Sequence, residues 1–445
     1  MRDGDQVRDE SRAVSRRTAQ LCYETRPIDS GLFDELRTRA HETGLVIERD
    51  GLVLLGFGKA ALLGLPGGLS DPSCLEGVVA DLRAIRRPEP RPVAYAQEPS
   101  PLAMGALRFD HRADGDLVVP ELTIISAGAL GPIAVVVGSP ERVTEVLEAL
   151  SNGRLATIAP PAEGEPAPPP DEFCLASARP HQDFLSRVSA ALVEIESGRL
   201  DKVVLAREVT VHANRPFRQA DLLGRLRALH PSCTAFAIDG FIGASPELLI
   251  RRSGARIASE PLAGTAARSG DPEADRRAEA ALLASAKERS EHRVVVDTIA
   301  EALRPVVEHI EVPDEPVIHE LRNVSHLGTS MTGTLAMRDG RYPSALDLVG
   351  LLHPTPAVAG TPVAVALEYL AKLEELDRDR YAGPVGWVDA RGDGEWYLGI
   401  RSAVVTGSSA RLFAGVGIVA DSEPAAELAE TQLKLQAFLA AAVRP

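Results

Sequence analysis

Aromatic residues are scarce in this chain: Phe, Trp and Tyr together make up 4% of its 445 residues. The core therefore has to be built mostly from Ala, Val, Leu and Ile. Cysteine is scarcer still. The only four are Cys22, Cys74, Cys174 and Cys233, and no two stand in CxxC spacing. That pattern argues against a zinc site or a redox motif and fits a reducing compartment. No apolar run approaches the roughly 20 residues needed to span a bilayer. The N-terminal MRDGDQVRDESRAVSRRTAQ has no apolar stretch of the secretory kind. A cytoplasmic protein without a membrane role is expected. Basic residues are outnumbered, with Lys plus Arg at 48 against Asp plus Glu at 63, a formal charge of −15. An acidic surface repels nucleic acid and anionic lipid, so no nucleic-acid partner is expected. An anionic substrate would need cations or a metal concentrated in its site. Phosphate-loop, dinucleotide and nucleophile-elbow signatures are missing too: there is no GxxxxGK[ST], no GxGxxG opening a helix and no GxSxG.

What is present is length enough for one large α/β unit or two to three domains. Residues 1 to about 25 read as a solvated, flexible tail. Residues 26–175 read as an N-terminal part of the fold, ending in a proline-rich loop at 159–172 that cannot pack a core. Residues 176–445 hold the chemistry. The spacing predicts a helix over SGLFDELRTRAHETG, capped by Ser30, and strands over LVVPELTIISAG and GPIAVVVG. It predicts helices over HQDFLSRVSAALVEIESG and FRQADLLGRLRALH, and a strand over KVVLAREVTV. TAFAIDGFIGASPELLIRR reads as a hairpin, and Asp275 to Leu303 as one long helix ending before Pro305. PVGWVDARGDGEWYLGIRSAVVTGSSARLFAGVGIV reads as a three-strand meander with glycine turns, followed by a terminal helix.

Four segments carry candidate chemistry. On the terminal helix Glu423, Glu427, Glu430 and Lys434 recur at helical spacing and share a face. Glu288 and Glu291 do the same on the long helix. Two such pairs across a cleft make an oxygen-rich site of the kind Mg²⁺ prefers, although each alone also reads as a solvated face. Lys202 alternates with Val204 and Ala206 on one face of its strand. A lysine desolvated there has a lowered pKa and suits a base; a plain edge lysine is the alternative. Glu247, after GASP and before LLI, would have a raised pKa against apolar walls, as a general acid requires; a strand-end glutamate in water is the alternative. Arg401 and Lys434 could grip carboxylates. The glycine turns PLAGT and AGVGIV offer backbone N–H groups to anionic oxygens.

In order along the chain, KVVLAR, GASPELL, PLAGT, SAKERSEH, LHPTPAVAG, GPVGW, GDGEW, IRSA, FAGVGIV and ETQLKLQ resemble the motifs of the chorismate-utilising enzymes, relatives of anthranilate synthase component I and the salicylate synthases. The resemblance is strong over about residues 180–445. It implies a large α/β (α+β) fold with two mixed β-sheets flanked by helices around a central cleft, and Mg²⁺ as cofactor. The implied substrate is chorismate, a dianion with an enolpyruvyl ether and a C4 hydroxyl. By motif, Lys202 would be the base activating water for attack at C2, and Glu247 the acid protonating the departing C4 hydroxyl. Glu291 and Glu430, with Glu288 and Glu427 beside them, would hold Mg²⁺. Arg401, Lys434 and the backbone of Gly264, Thr265 and Gly417 would bind carboxylates. Within the family, Lys202 resembles the water-using members rather than the ammonia-using anthranilate synthases. Ala263 departs from the aminodeoxychorismate synthases, and Ala357, in the substrate pocket, resembles the isochorismate synthases rather than the salicylate synthases. The implied activity is Mg²⁺-dependent isomerisation of chorismate to isochorismate. The alternatives are a salicylate synthase that also eliminates pyruvate, and an inactive chorismate-binding homologue. Catechol siderophore, salicylate and menaquinone pathways all stay open. A monomer is expected, with a downstream pathway enzyme as its protein partner, if any.

Overall fold

Antiparallel pairing dominates the architecture. The computed structural model describes residues 18–88, 98–128, 130–159 and 168–443. Residues 1–17 of the expected tail, and 160–167 of the expected proline-rich loop, lie outside the described residues. Among the described residues there are ten α-helices and three sheets, of 12, 9 and 3 strands. The α+β arrangement of two large sheets with flanking helices is as expected. The sheets are not mixed, however: every named strand pair runs antiparallel. The strands are joined largely by hairpins and sheet crossings, which favour antiparallel ladders.

The N-terminal part completes both large sheets rather than building its own. In the 12-stranded sheet Leu45–Arg49 pairs with Thr234–Ile238, and the order runs on through Phe241–Ser245, Ser402–Thr406 and Ser409–Ile418 to Lys202–Ala213. In the nine-stranded sheet Leu102–Ala106 pairs with Pro384–Asp389. The expected tail is too long: Cys22–Pro27 is an edge strand paired with Leu130–Gly138, burying Cys22 and Thr25. Its polar composition concealed the strand.

The core is aliphatic, as the low aromatic content required, with a few large fully buried rings such as Trp396, Phe184, Phe236, Phe241 and Phe438.

Three local expectations need correction, and two of them shape the site. Asp29, not Ser30, caps the first helix, its carboxylate accepting from the Leu32 N–H at 2.9 Å. The long helix is two helices, Pro272–Ala284 and Ala286–Leu303. Ser285 adopts extended backbone between them and its hydroxyl accepts from the Glu288 N–H, restarting the helix as an N-cap. The predicted hairpin and meander both change sheets midway. Phe241–Ser245 lies in the 12-stranded sheet and Leu248–Ser253 in the nine-stranded one. Gly394–Leu398 and Ser402–Thr406 divide in the same way. These two crossings are stitched together: Ser245 Oγ donates to the Leu398 carbonyl at 2.6 Å, the Leu398 N–H donates to the Glu247 carbonyl at 3.1 Å, and the Ala244 N–H to the Arg401 carbonyl at 3.3 Å. Glu247 and Arg401 therefore sit side by side where the sheets part.

Candidate active site

Twelve of the residues singled out from the sequence line one cavity: Lys202, Glu247, Gly264, Thr265, Glu288, Glu291, Ala357, Arg401, Gly417, Glu427, Glu430 and Lys434. They arrive there from eight places, one of them the Ser409–Ile418 strand, which carries Gly417. The Lys202–Ala213 strand supplies Lys202 at its first position, and the two sheet crossings supply Glu247 and Arg401. The Leu262–Ala267 strand of the small sheet brings Gly264 and Thr265. The Ala286–Leu303 helix brings Glu288 and Glu291, and the Pro424–Ala442 helix brings Glu427, Glu430 and Lys434. Ala357 comes from the turn after the Ala345–Leu352 helix. Glu423 is at the N-cap of the terminal helix and is exposed, outside this lining.

Lys202 is 5% exposed. Its Nζ lies 2.5 Å from Glu291 Oε1, a partner the sequence reading did not anticipate. Gly417 makes room for that pair: a Cβ there would lie 2.6 Å from Lys202 Cε and 3.0 Å from Glu291 Oε1. Lys434 mirrors the arrangement, 2.7 Å from Glu430 Oε1 while donating to the Gly415 carbonyl at 3.0 Å.

Glu247 is also 5% exposed. Burial pushes its carboxyl up to about 7, against the pull of the Leu262 backbone N–H and of the Arg401, Lys202 and Lys434 charges. At neutral pH the group therefore holds and releases a proton with similar ease. Burial, with the charge of Glu291 next, raises Glu288. Burial raises Glu427, with Glu430 adding to the shift against a hydrogen bond from Ser422. Burial also works to raise Glu430, but Lys434 beside it wins and the net shift is downward.

Gly264 is required by its backbone. Its φ is +75° at a bulge in the Leu262–Ala267 ladder, and a Cβ would meet Glu288 Oε2 at 3.1 Å. The Thr265 N–H donates to the same Glu288 oxygen at 3.3 Å. Arg401 has a left-handed φ of 53°, which turns its side chain toward the cavity from the crossing.

The four glutamates do not form a ready cage. Among the described residues no three His, Cys, Asp or Glu side chains are grouped as a metal site. Two of the four are instead tied to lysines and a third to a backbone N–H. The four glutamates line one cavity but are not a preformed ligand set. The donor chemistry still fits a hard cation. It offers four carboxylates around one cavity, two of them, Glu288 and Glu427, with pKa values raised by burial and by the charges of Glu291 and Glu430, a repulsion a divalent ion relieves.

Among the lining residues that sequence reasoning missed, three stand out. His326 is buried. Its Nδ1 donates to the Gly264 carbonyl at 2.9 Å, which leaves Nε2 to accept from Arg401 Nη2 at 3.2 Å. Tyr381 lines the cavity and stacks on Phe413. Arg378 forms a buried bidentate pair with Glu374 at 2.6 and 2.7 Å, and donates to the Val358 and Val204 carbonyls. Glu374 in turn accepts from the Ala206 N–H at 2.6 Å. In sequence, Glu374 and Arg378 look like an ordinary i,i+4 surface pair, and nothing marks them as holding the Ala357 turn against the Lys202 strand.

Comparison with known proteins agrees with this geometry. The family described as "Chorismate binding enzyme" matches residues 93–443, well over half of the chain. The chain is 37% identical over 343 residues to isochorismate synthase MenF of Bacillus subtilis, covering 75% of this chain and 71% of that protein. It is 35% identical over 400 residues to isochorismate synthase DhbC of the same organism, covering 87% and 91%. Among solved structures, MenF, the menaquinone-specific isochorismate synthase from Escherichia coli, superposes with a TM-score of 0.77 at 24% identity, covering 98% of this chain and 100% of that one; at that identity the likeness shows the fold. This chain belongs to the chorismate-binding enzyme family. No helix among the described residues is long and apolar enough to cross a membrane.

Proposed function

We propose that this chain is an isochorismate synthase that interconverts chorismate and isochorismate. The observation that carries the reading is the meeting of Lys202 and Glu247 in one cavity, with Glu247 held at a pKa of about 7. Water is a weak nucleophile and hydroxide a poor leaving group, so the exchange needs a base and an acid. Lys202, once its amine is released from Glu291, takes a proton from the water whose oxygen bonds to C2. The ring double bond shifts, the C4–O bond breaks, and Glu247 gives its proton to the departing hydroxyl, which leaves as water. A carboxyl near pH 7 suits a reversible reaction, because the same group must take the proton back in the other direction. Arg401 and Lys434 face the carboxylates of the dianion, and the Gly264–Thr265 and Gly417 backbone closes around it. His326, by accepting from Arg401 and donating to Gly264, holds both of those elements in register.

Glu291 and Glu430, with Glu288 and Glu427 beside them, would hold Mg²⁺, which when bound supplies the positive charge that neutralises the ring carboxylate. The relatives named isochorismate synthases support this choice within the family, as does Ala357 in the pocket. Incubating the protein with chorismate, with and without Mg²⁺, and separating products by chromatography tests it. Isochorismate formed only with Mg²⁺, and abolished by chelation, is the expected result. Salicylate formed without an added lyase would make the chain a salicylate synthase, and tight chorismate binding without turnover would make it an inactive homologue. The same reading places a monomer in the cytoplasm; sedimentation and cell fractionation test those two points.

A further inference from the structure

A second pocket lies against the other face of the Lys202 strand. Side chains alternate along that strand, so Arg207 points away from Lys202, Val204 and Ala206. Arg207 is 6% exposed, yet among the described residues it forms no ion pair. Its guanidinium donates only to neutral acceptors: His181 Nε2 at 3.0 Å, Thr431 Oγ1 at 3.4 Å and Ser177 Oγ at 3.5 Å. Burial, and next the charge of another cation, Arg187, pull the Arg207 pKa down. A buried guanidinium facing a like charge is costly unless something anionic joins it.

The other charges around the pocket are already committed. Arg187, 8% exposed, spends one arm on Asp183 at 3.0 Å and one on the Glu374 carbonyl at 3.1 Å, and its Nε is buried with no acceptor. Arg179 pairs with Glu375 and shares Asp183. Glu208 pairs with Arg411, and Glu374 with Arg378. Asp377 is exposed and reaches Arg108 at 3.9 Å. Once these pairs are matched, Arg207 is the charge left over. The pocket holds about 250 Å³, room for several waters at roughly 30 Å³ each. The 16-residue helix His181–Glu196 begins at its wall, adding the positive end of a helix dipole to the arginines.

We propose that this pocket, in which Ser177, Arg179, His181, Arg187 and Arg207 stand beside the already paired Glu208, Glu374, Glu375 and Asp377, is an anion-binding site distinct from the catalytic cavity, taking a small carboxylate or phosphate. Arg207 and the free Nε of Arg187 supply the donors, and the start of the His181 helix supplies the field.

The full chain, titrated by calorimetry at constant ionic strength with inorganic phosphate and separately with succinate, tests this. At least one of the two anions is expected to bind saturably, and whichever does names the class of ligand. That binding should persist in Arg401→Gln, which cripples anion binding in the catalytic cavity. It should weaken about tenfold or more in Arg207→Gln and in Arg187→Gln, the size expected for losing a charge-assisted hydrogen bond. If either buried substitution fails to fold, Arg179→Gln at the rim carries the test, with a smaller loss of affinity expected. The absence of saturable binding by either anion would overturn the proposal. So would binding that disappears in Arg401→Gln, or binding that survives unchanged in every pocket variant.

Discussion

The two faces of the Lys202–Ala213 strand treat buried charge in opposite ways. On one face, cations and carboxylates meet in pairs: Lys202 with Glu291 and Lys434 with Glu430. The acids left over, Glu247, Glu288 and Glu427, keep their protons more tightly because they are buried. On the other face Arg207 is buried and, among the described residues, forms no ion pair. On the first face three acids are left without an ion pair among the described residues, which suits a cation and proton transfer. On the second the group left without one is a base, Arg207, which suits an anion. A strand only one side chain thick separates them, so the difference comes from what the helices bring. The Ala286–Leu303 helix and one side of the Pro424–Ala442 helix bring glutamates to the first face. The His181 helix brings arginine to the second.

The largest expected effect is on the acid-bearing face. Lys202→Ala and Glu247→Gln should each lower turnover by about 10²–10⁴-fold, while circular dichroism and the unfolding transition show that the fold survives. Near wild-type turnover in either variant would remove that residue from the acid–base pair.

The Glu374–Arg378 pair borders both faces, so breaking it should blur the contrast. Arg378→Met leaves Glu374 buried and unpaired, and unties the Ala357 turn from the Lys202 strand. A loss of roughly 3–5 kcal/mol in chemical denaturation is expected. Replacing both partners by apolar residues of similar size should restore most of it.

The pH dependence of stability sharpens the comparison. The Glu247 carboxyl rises from 4.5 unfolded to about 7 folded. Its contribution to stability is therefore full below about pH 4.5 and is lost as pH rises through 7. Over that window the difference amounts to at most about 3 kcal/mol. In Glu247→Gln this part of the pH profile should flatten. An unchanged profile would mean that the carboxyl titrates elsewhere. The same ionisation should make kcat/KM fall above pH 7 in the direction that needs Glu247 as the acid.

The smallest effect expected is from Gly417→Ala. Its added Cβ would sit 2.6 Å from Lys202 Cε, and that flexible arm can yield. The fold should tolerate the change, and kcat should drop by about tenfold as the amine leaves its position. A wild-type kcat would show that the placement of Lys202 is not limiting.

Much of the site was legible in the sequence, and particular residues show why. Glu288 and Glu291 share a helical face whether or not the helix is broken before them, because the break at Ser285 lies upstream of both. Lys202 falls on the right side of its strand by alternation alone. His326 was not legible, since a histidine in VSHLG carries no local sign that it will accept from an arginine 75 residues later. Arg207 was visible only as the residue facing away from Lys202. The sheet crossings were not legible either: Pro246–Glu247 and Gly399–Arg401 read as turns within one sheet. No local signal distinguishes a turn that stays in its sheet from one that leaves it.

The order and spacing of the polar residues determined, without any coordinates, which side chains belong together, because periodicity settles which residues share a face. Only the tertiary structure decided what each of those side chains meets. Partners such as Glu291 for Lys202, and the dry surroundings that raise Glu247, come from strands and helices far away along the chain. Desolvation and ion pairing depend on those distances in space, to which local sequence pattern is blind.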